Sequence, residues 1–212
     1  MKYIVVDFEM NPVAKEYKEE KQISKMEIIE IGAVIMVESF LILGEFKTLV
    51  KPMFNSEIYK KYATLTGIST QMVAGAPTFT TAYEMFVNWC ESYGDEYEIY
   101  AWSENDSLQL LAEMEQKKYR NEAKKEILNH WYDFQKEYTE KLGLERIMSL
   151  EKALDYAGLG ADDRIYRVYG TVCCYYGKDE SRRPGGIDYG RSPILCRGDR
   201  TYLSEAGEDG VE

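Results

Sequence analysis

The sequence predicts an α/β domain over residues 1–160, a sheet with helices packed against it. Continuous apolar, β-branched runs recur in the first fifty residues, as buried strands require. Two of these runs are joined by a short polar link, the pattern of a hairpin. From residue 79 onward, segments with apolar residues at helical spacing alternate with short strand-like runs.

Tyr3-Ile4-Val5-Val6 is the first strand, ending in Asp7-Phe8-Glu9. Ile28 to Val37 is a longer second strand, and Leu41 to Val50 a third that pairs with it as a hairpin. Leu65-Thr66-Gly67-Ile68-Ser69 reads as a loop, followed by the punctuation Gly75-Ala76-Pro77. Phe79, Ala82, Tyr83, Phe86 and Cys90 recur at the spacing of an amphipathic helix. Glu98 to Trp102 is a fourth strand. The helix after it carries Asp106, Leu110 and Glu113 on one side, with Leu108, Leu111 and Ala112 expected to face the core. A fifth strand at Asn129–Phe134, a helix at Gln135–Lys141 and a helix at Leu150–Ala157, stopped by Gly158, complete the set.

The chain has 212 residues, 45% hydrophobic and 30% charged, which excludes a disordered or collagen-like polypeptide. Its longest apolar stretch, Ile31 to Val37, is too short to span a bilayer, so no membrane association is expected. Met1-Lys2 leads straight into a strand, unlike a signal peptide. The four cysteines lack metal-ligand spacing or a disulfide framework, and a reducing cytoplasm is the expected location. The net charge of −11 argues against tight nonspecific binding to duplexes, which draws on basic side chains. An enzyme that grips a strand end through metal ions is not excluded.

The informative feature is Asp7-Phe8-Glu9. Residues two apart on a strand share a face, so Asp7 and Glu9 present adjacent carboxylates at the end of the first strand, where α/β sheets place their sites. Such a pair repels unless a cation sits between, and oxygen donors suit Mg²⁺ or Mn²⁺. A solvated surface pair is the plain alternative. Asp106, at the start of the helix after the fourth strand, completes a three-carboxylate cluster if strands one and four are neighbours. It could equally be a helix-start acid favoured by the macrodipole.

Four ordered strings make the chain resemble the DnaQ-like 3'-to-5' exonucleases of the ribonuclease H-like fold. Val6-Asp7-Phe8-Glu9 looks like the first motif, and Glu27-Ile28-Ile29-Glu30-Ile31-Gly32-Ala33-Val34 is similar to the second strand. Leu65-Thr66-Gly67-Ile68 resembles the loop that receives the terminal nucleotide, and Trp102-Ser103-Glu104-Asn105-Asp106 the second motif. Residues Ser149 to Leu159 resemble the helix and turn before the third motif. The resemblance implies a three-layer αβα fold with a five-stranded mixed sheet of order 3-2-1-4-5, strand 2 antiparallel. It implies hydrolysis at the 3' end of single-stranded RNA or DNA by two Mg²⁺ or Mn²⁺ ions roughly 4 Å apart. Asp7 would bridge both ions, Glu9 would hold the water-bearing one and Asp106 the second. The backbone at Phe8 and Met10 would lie along the terminal nucleotide. Leu65 and Ile68 would touch its base, and Thr66, Trp102 and Asn105 would contribute to the same pocket. Leu65 could instead be an ordinary loop residue anchored on the core.

The third motif departs from the family. Tyr166 stands where a general-base histidine is expected and Thr171 where a fourth aspartate is expected. A tyrosine subclass needs an aspartate at position 170, which is Gly170. The single histidine, His130, is in the wrong element and is read as structural. Residues 161–212 also change character: residues 1–160 hold 16 Lys and 2 Arg, residues 161–212 hold 1 Lys and 7 Arg, and each part holds 8 Gly. This Gly/Arg-rich tail is expected to be poorly structured and resembles translation in a shifted frame. One permitted codon string for residues 166–171 regains Tyr-Arg-Gly-Leu-Trp-Asp when a single G is restored, and the gene sequence decides the matter. The expected consequence is a nuclease fold with an impaired site, and an apolar face that the tail or the second subunit of a homodimer would cover. A noncatalytic nucleic-acid-binding or scaffold domain of the same fold is the competing reading, and a small-molecule phosphohydrolase a more distant one.

Overall fold

The computed structural model describes residues 1–39 and 41–156. Its five strands are β1 (Lys2–Pro12), β2 (Met26–Val37), β3 (Ile42–Leu49), β4 (Tyr97–Ala101) and β5 (Trp131–Asp133). They form one sheet of order β3-β2-β1-β4-β5, with β2 antiparallel to β1 and β3, and with β1, β4 and β5 parallel. The order and the antiparallel second strand are those expected. Helices pack on both faces, among them the one-turn α1 (Glu20–Ile23) and α6 (Glu122–Lys125), and no helix among the described residues is long and apolar enough to cross a membrane.

The pleat sorts the strands into two faces. Ile4, Val6 and Phe8 of β1 join Ile31, Ala33 and Ile35 of β2 in the main core. There they meet α4 (Phe79–Glu91) through Ala82, Tyr83 and Phe86, and α5 (Asn105–Gln116) through Leu110 and Met114. On the other face Val5, Val34 and Met36 pack with Tyr3 and Tyr100. Beside them, Phe134 and Tyr138 of α7 (Phe134–Lys141) pack with Ala153 and Leu154 of α8 (Leu150–Tyr156).

Four elements differ from expectation. β1 runs on to Pro12 because its pairing with β2 continues past a bulge at Glu9/Met10, so Asp7 and Glu9 are not at the strand's end. They are, however, beyond the reach of β4, whose pairing with β1 stops at Val5↔Tyr100. The segment read as a loop around Leu65 is the end of α2 (Lys60–Thr66), closed by Gly67 at φ 66°, a left-handed conformation suited to glycine. A second short helix, α3 (Thr70–Ala74), follows, capped by the Ser69 side chain. The fifth strand shrinks to three residues behind a 3₁₀ turn over Glu126–His130.

The fourth difference is the rotation of α5. Leu108 and Leu111 are 54% and 49% exposed, not turned to the core. The buried face instead carries Asp106, Gln109, Leu110, Glu113, Met114 and Gln116. Gln109 Nε2 donates to Met26 O (2.9 Å), and Gln116 Nε2 donates to Glu20 O (2.8 Å) and Ser24 O (2.9 Å), so the helix is tied to the approach to β2. The Glu113 carboxylate accepts from Ile28 N (2.6 Å). Lys117, just past the helix end, pairs with Glu113 and with Glu27, the latter at 3.2 Å. Glu27 in turn accepts from Met53 N (2.7 Å) and Phe54 N (2.9 Å), and the ammonium lies 5.2 Å from the centre of the Phe79 ring.

All three ions of this cluster are buried, so its geometry rather than its net energy sets its value. Removing the cation with Lys117→Met strands two buried carboxylates and is expected to cost about 3–5 kcal/mol in urea unfolding at neutral pH. Burial pushes the Glu113 carboxyl above the usual carboxylate range, against the opposing pull of Lys117. A carboxyl raised in the folded state keeps a proton that the unfolded chain loses. Its stabilising contribution is therefore present below the ordinary value of 4.5 and is lost as pH rises through the folded value. Glu113→Gln retains an oxygen for the Ile28 N–H and leaves Lys117 paired with Glu27. Its stability is expected to fall less steeply than the parent's as pH is raised above the ordinary carboxylate value of 4.5.

Candidate active site

Because β1 outruns β4, the N–H of Phe8 has no strand partner on that side. Asp106 fills the place: its Oδ1 accepts from Phe8 N at 3.2 Å, a buried hydrogen bond across the fold. Phe8 lies between Asp7 and Glu9 in the chain, so the α5 acid is brought to the acid-bearing stretch of β1. Asp7 is half-buried, while Glu9 and Asp106 are 9% and 8% exposed. Asp7 and Glu9 share a sheet face by the pleat, with Gly32 directly opposite Asp7 and Glu30 directly opposite Glu9 on β2.

Asp7, Glu9 and Asp106 carry hard oxygen donors, the chemistry that Mg²⁺ or Mn²⁺ selects. Among the described residues, however, no three of His, Cys, Asp and Glu are drawn together into a group that could hold an ion. Asp106 spends one oxygen on the Phe8 amide, and the neighbouring Glu30 is engaged by Lys47 at 3.1 Å.

The remaining candidates divide. Phe8 is a core residue with its ring 6.0 Å from Trp131, so only its backbone faces the acids. Met10 is half-buried and packs against the main core. Ile68, at 2% exposure, belongs to a cluster with Ile29, Ile58 and Val73, which corrects its expected contact to a nucleotide base. Thr66 is likewise spent internally: its hydroxyl donates to Tyr62 O (2.9 Å) and accepts from Ile68 N (3.1 Å). Leu65 differs from both, standing 51% exposed at the end of α2 rather than anchored on the core. Asn105 is exposed at the start of α5. Trp102 is half-buried with its ring centre 5.8 Å from those of Phe134 and Tyr138, and its buried indole N–H meets no hydrogen-bond partner among the described residues. His130 lies at the end of the 3₁₀ turn, its ring 5.4 Å from that of Tyr97, consistent with a structural role. Tyr166, Gly170, Thr171 and the remainder of 157–212 lie outside the described residues.

Glu30 and Lys47 escaped the sequence reading as site neighbours. The signal was present in β2, where Glu30 and Gly32 interrupt the apolar run Ile28–Val37 on the face that alternation gives to Asp7 and Glu9. Lys47 needed the β2–β3 register, which no motif announces.

The profile of the family described as exonuclease, RNase_T, matches residues 4–164. No curated protein matches the chain. Among solved structures, the chain is similar to the nuclease domain of 3'hExo, a DEDDh family member bound to rAMP. That likeness has 20% identity, covers 81% of this chain and 88% of that one, and has a TM-score of 0.69. A 3'-exonuclease recognising the 3' end of a histone mRNA stem-loop matches with 18% identity, 82% and 77% coverage and a TM-score of 0.66. Cell-death related nuclease 4 matches with 20% identity, 82% and 60% coverage and a TM-score of 0.63.

The Phe8–Asp106 bond separates two ways of removing the acid. Asp106→Ala leaves a buried amide without an acceptor and is expected to cost about 1–3 kcal/mol in denaturant unfolding. Asp106→Asn keeps an oxygen for that amide, and its midpoint is expected to stay near the parent's.

Proposed function

This chain belongs to the exonuclease family, and on that premise we propose that it cleaves phosphodiester bonds at the 3' end of a single-stranded nucleic acid. In this reading Asp7, Glu9 and Asp106 hold two divalent ions. The observation that carries it is the hydrogen bond from Phe8 N to Asp106 Oδ1, which joins the α5 acid to the acid-bearing strand. Asp7 and Glu9 hold their carboxylates side by side because the strand repeat leaves them no other choice of face. Asp106 is kept at the end of β4 by its own amide contact and by the polar docking of α5. Bound Mg²⁺ or Mn²⁺ supplies Lewis acidity toward phosphate oxygens and lowers the pKa of a water.

The other residues orient the strand end. The exposed side chain of Leu65 offers apolar surface to a terminal base, while Thr66 and Ile68 hold the α2–α3 turn that presents it. The backbone at Phe8 and Met10 forms the edge along which the terminal nucleotide lies. That an rAMP-bound nuclease and a nuclease acting on an RNA 3' end share this fold supports an RNA or DNA end as the substrate. The third motif lowers the expected rate. With Tyr166 and Thr171 in place of the expected histidine and aspartate, the water lacks its usual proton acceptor, and a general base is commonly worth about 10²–10⁴-fold. The same departure motivates the second reading, a nucleic-acid-binding domain of this fold without hydrolysis.

A 3'-labelled single-stranded oligonucleotide incubated with Mn²⁺ distinguishes the two. Slow release of labelled mononucleotide is expected, lost in Asp7→Ala and in the fold-preserving Asp106→Asn. Binding of the oligonucleotide with no release at any metal concentration would establish the second reading.

A further inference from the structure

The sheet register places a cation beside the acids. Across β1, β2 and β3 one row reads Asp7–Gly32–Lys47 and the next reads Glu9–Glu30–Leu49. Residues in register share a face, and neighbouring strands lie about 4.8 Å apart, so Lys47 stands about 10 Å from Asp7 across two strands. Between them is a glycine, leaving bare backbone where any other residue would raise a side chain from the sheet. The Lys47 side chain is 72% exposed, and its ammonium rests 3.1 Å from Glu30, the carboxylate directly opposite Glu9.

The pair is only partly exposed, the Glu30 side chain at 14%, so the small worth of fully exposed ion pairs does not describe it. Its placement is informative. Glu30 and Glu9 oppose each other on adjacent strands, a repulsive arrangement that a nearby ammonium relieves. That ammonium sits on a four-carbon stem in solvent, whose reach lets it swing from a carboxylate to another anion. In a chain of net charge −11, it lies one row from the place where a polyanionic strand end must arrive.

We propose that Lys47 is a phosphate-binding residue for the strand that leads into the site. Its ammonium leaves Glu30 for a backbone phosphate on the 5' side of the terminal nucleotide, and the strand crosses the bare Gly32 row. The contact is to phosphate alone, so it serves RNA and DNA alike. This deepens the exonuclease reading and rests on it for the direction in which the strand enters.

Binding measured without turnover tests it. Fluorescence anisotropy of a 5'-fluorescein-labelled single-stranded 12-mer in Ca²⁺ is compared with binding of 5'-AMP, which has no phosphate upstream of its own. Lys47→Met is expected to weaken the 12-mer roughly three- to tenfold at low salt and to reduce the slope of log Kd against log salt by about 0.7, one phosphate's worth for a single strand. Affinity for 5'-AMP should not change, and Lys47→Arg should restore the 12-mer affinity and slope. Unchanged 12-mer binding in Lys47→Met, or equal weakening of the 12-mer and 5'-AMP, overturns the assignment, the latter by revealing a general charge effect. A parent chain that binds the 12-mer yet releases no mononucleotide with Mn²⁺ sinks the hydrolytic reading while leaving Lys47's role to the binding data. A parent chain that binds no 12-mer overturns both.

Discussion

One stranded backbone amide organises this molecule. β1 is paired with β2 along its whole length but with β4 only from Lys2 to Val5, so the second half of β1 has an open side in the interior. A buried N–H without an acceptor is costly, and the chain closes the gap with the first turn of the helix that follows β4. The acceptor is a carboxylate, so the requirement of the fold falls on the same side chain that the proposed chemistry would use. Asp106 cannot be exchanged for an apolar residue without leaving the Phe8 amide unanswered.

Much of this was legible because it is local. The runs Tyr3–Val6 and Ile28–Val37 could be little but strands, and the pleat alone places Asp7 and Glu9 on one face. The hairpin of β2 and β3 follows from the short link between them. The extension of β1 through Asn11 and Pro12 is set by antiparallel pairing with β2 past the bulge, a contact that no local apolar run reports. Helix α2 lacks a strong apolar period of its own. Tyr62 and Ala63 pack on the cluster formed by Ile29, Ile58, Ile68 and Val73, a contact with a remote strand that propensity does not report. The same cluster takes Ile68 away from the site that its motif suggested.

Under the proposed function, cations held by Asp7, Glu9 and Asp106 would stand between these carboxylates and a phosphate, and the strand's remaining charge would need answering only beside that place. Lys47 occupies the sheet row that contains Asp7, its side chain mostly in solvent and its ammonium 3.1 Å from Glu30. A continuous basic groove is unnecessary for an enzyme that takes hold of one end, where metal ions and apolar contact to a base do the binding.

The rotation of α5 follows from the same economy. Leucines would bury more apolar area, yet Leu108 and Leu111 are left outside, while Gln109, Glu113 and Gln116 face in. Apolar contact is non-directional and tolerates sliding or turning. Hydrogen bonds from Gln109 to Met26 O, from Gln116 to Glu20 O and Ser24 O, and from Ile28 N to Glu113 define both the rotation and the height of the helix. A slip of one residue would turn the helix about 100° and carry Asp106 away from Phe8. A helix whose first turn must deliver a carboxylate to a single amide is better held by directional bonds than by grease, and the buried Glu27–Lys117–Glu113 cluster extends that hold past its last turn. Hydrophobicity alone therefore selects the wrong face of α5, since the face that matters is fixed by partners distant in the chain.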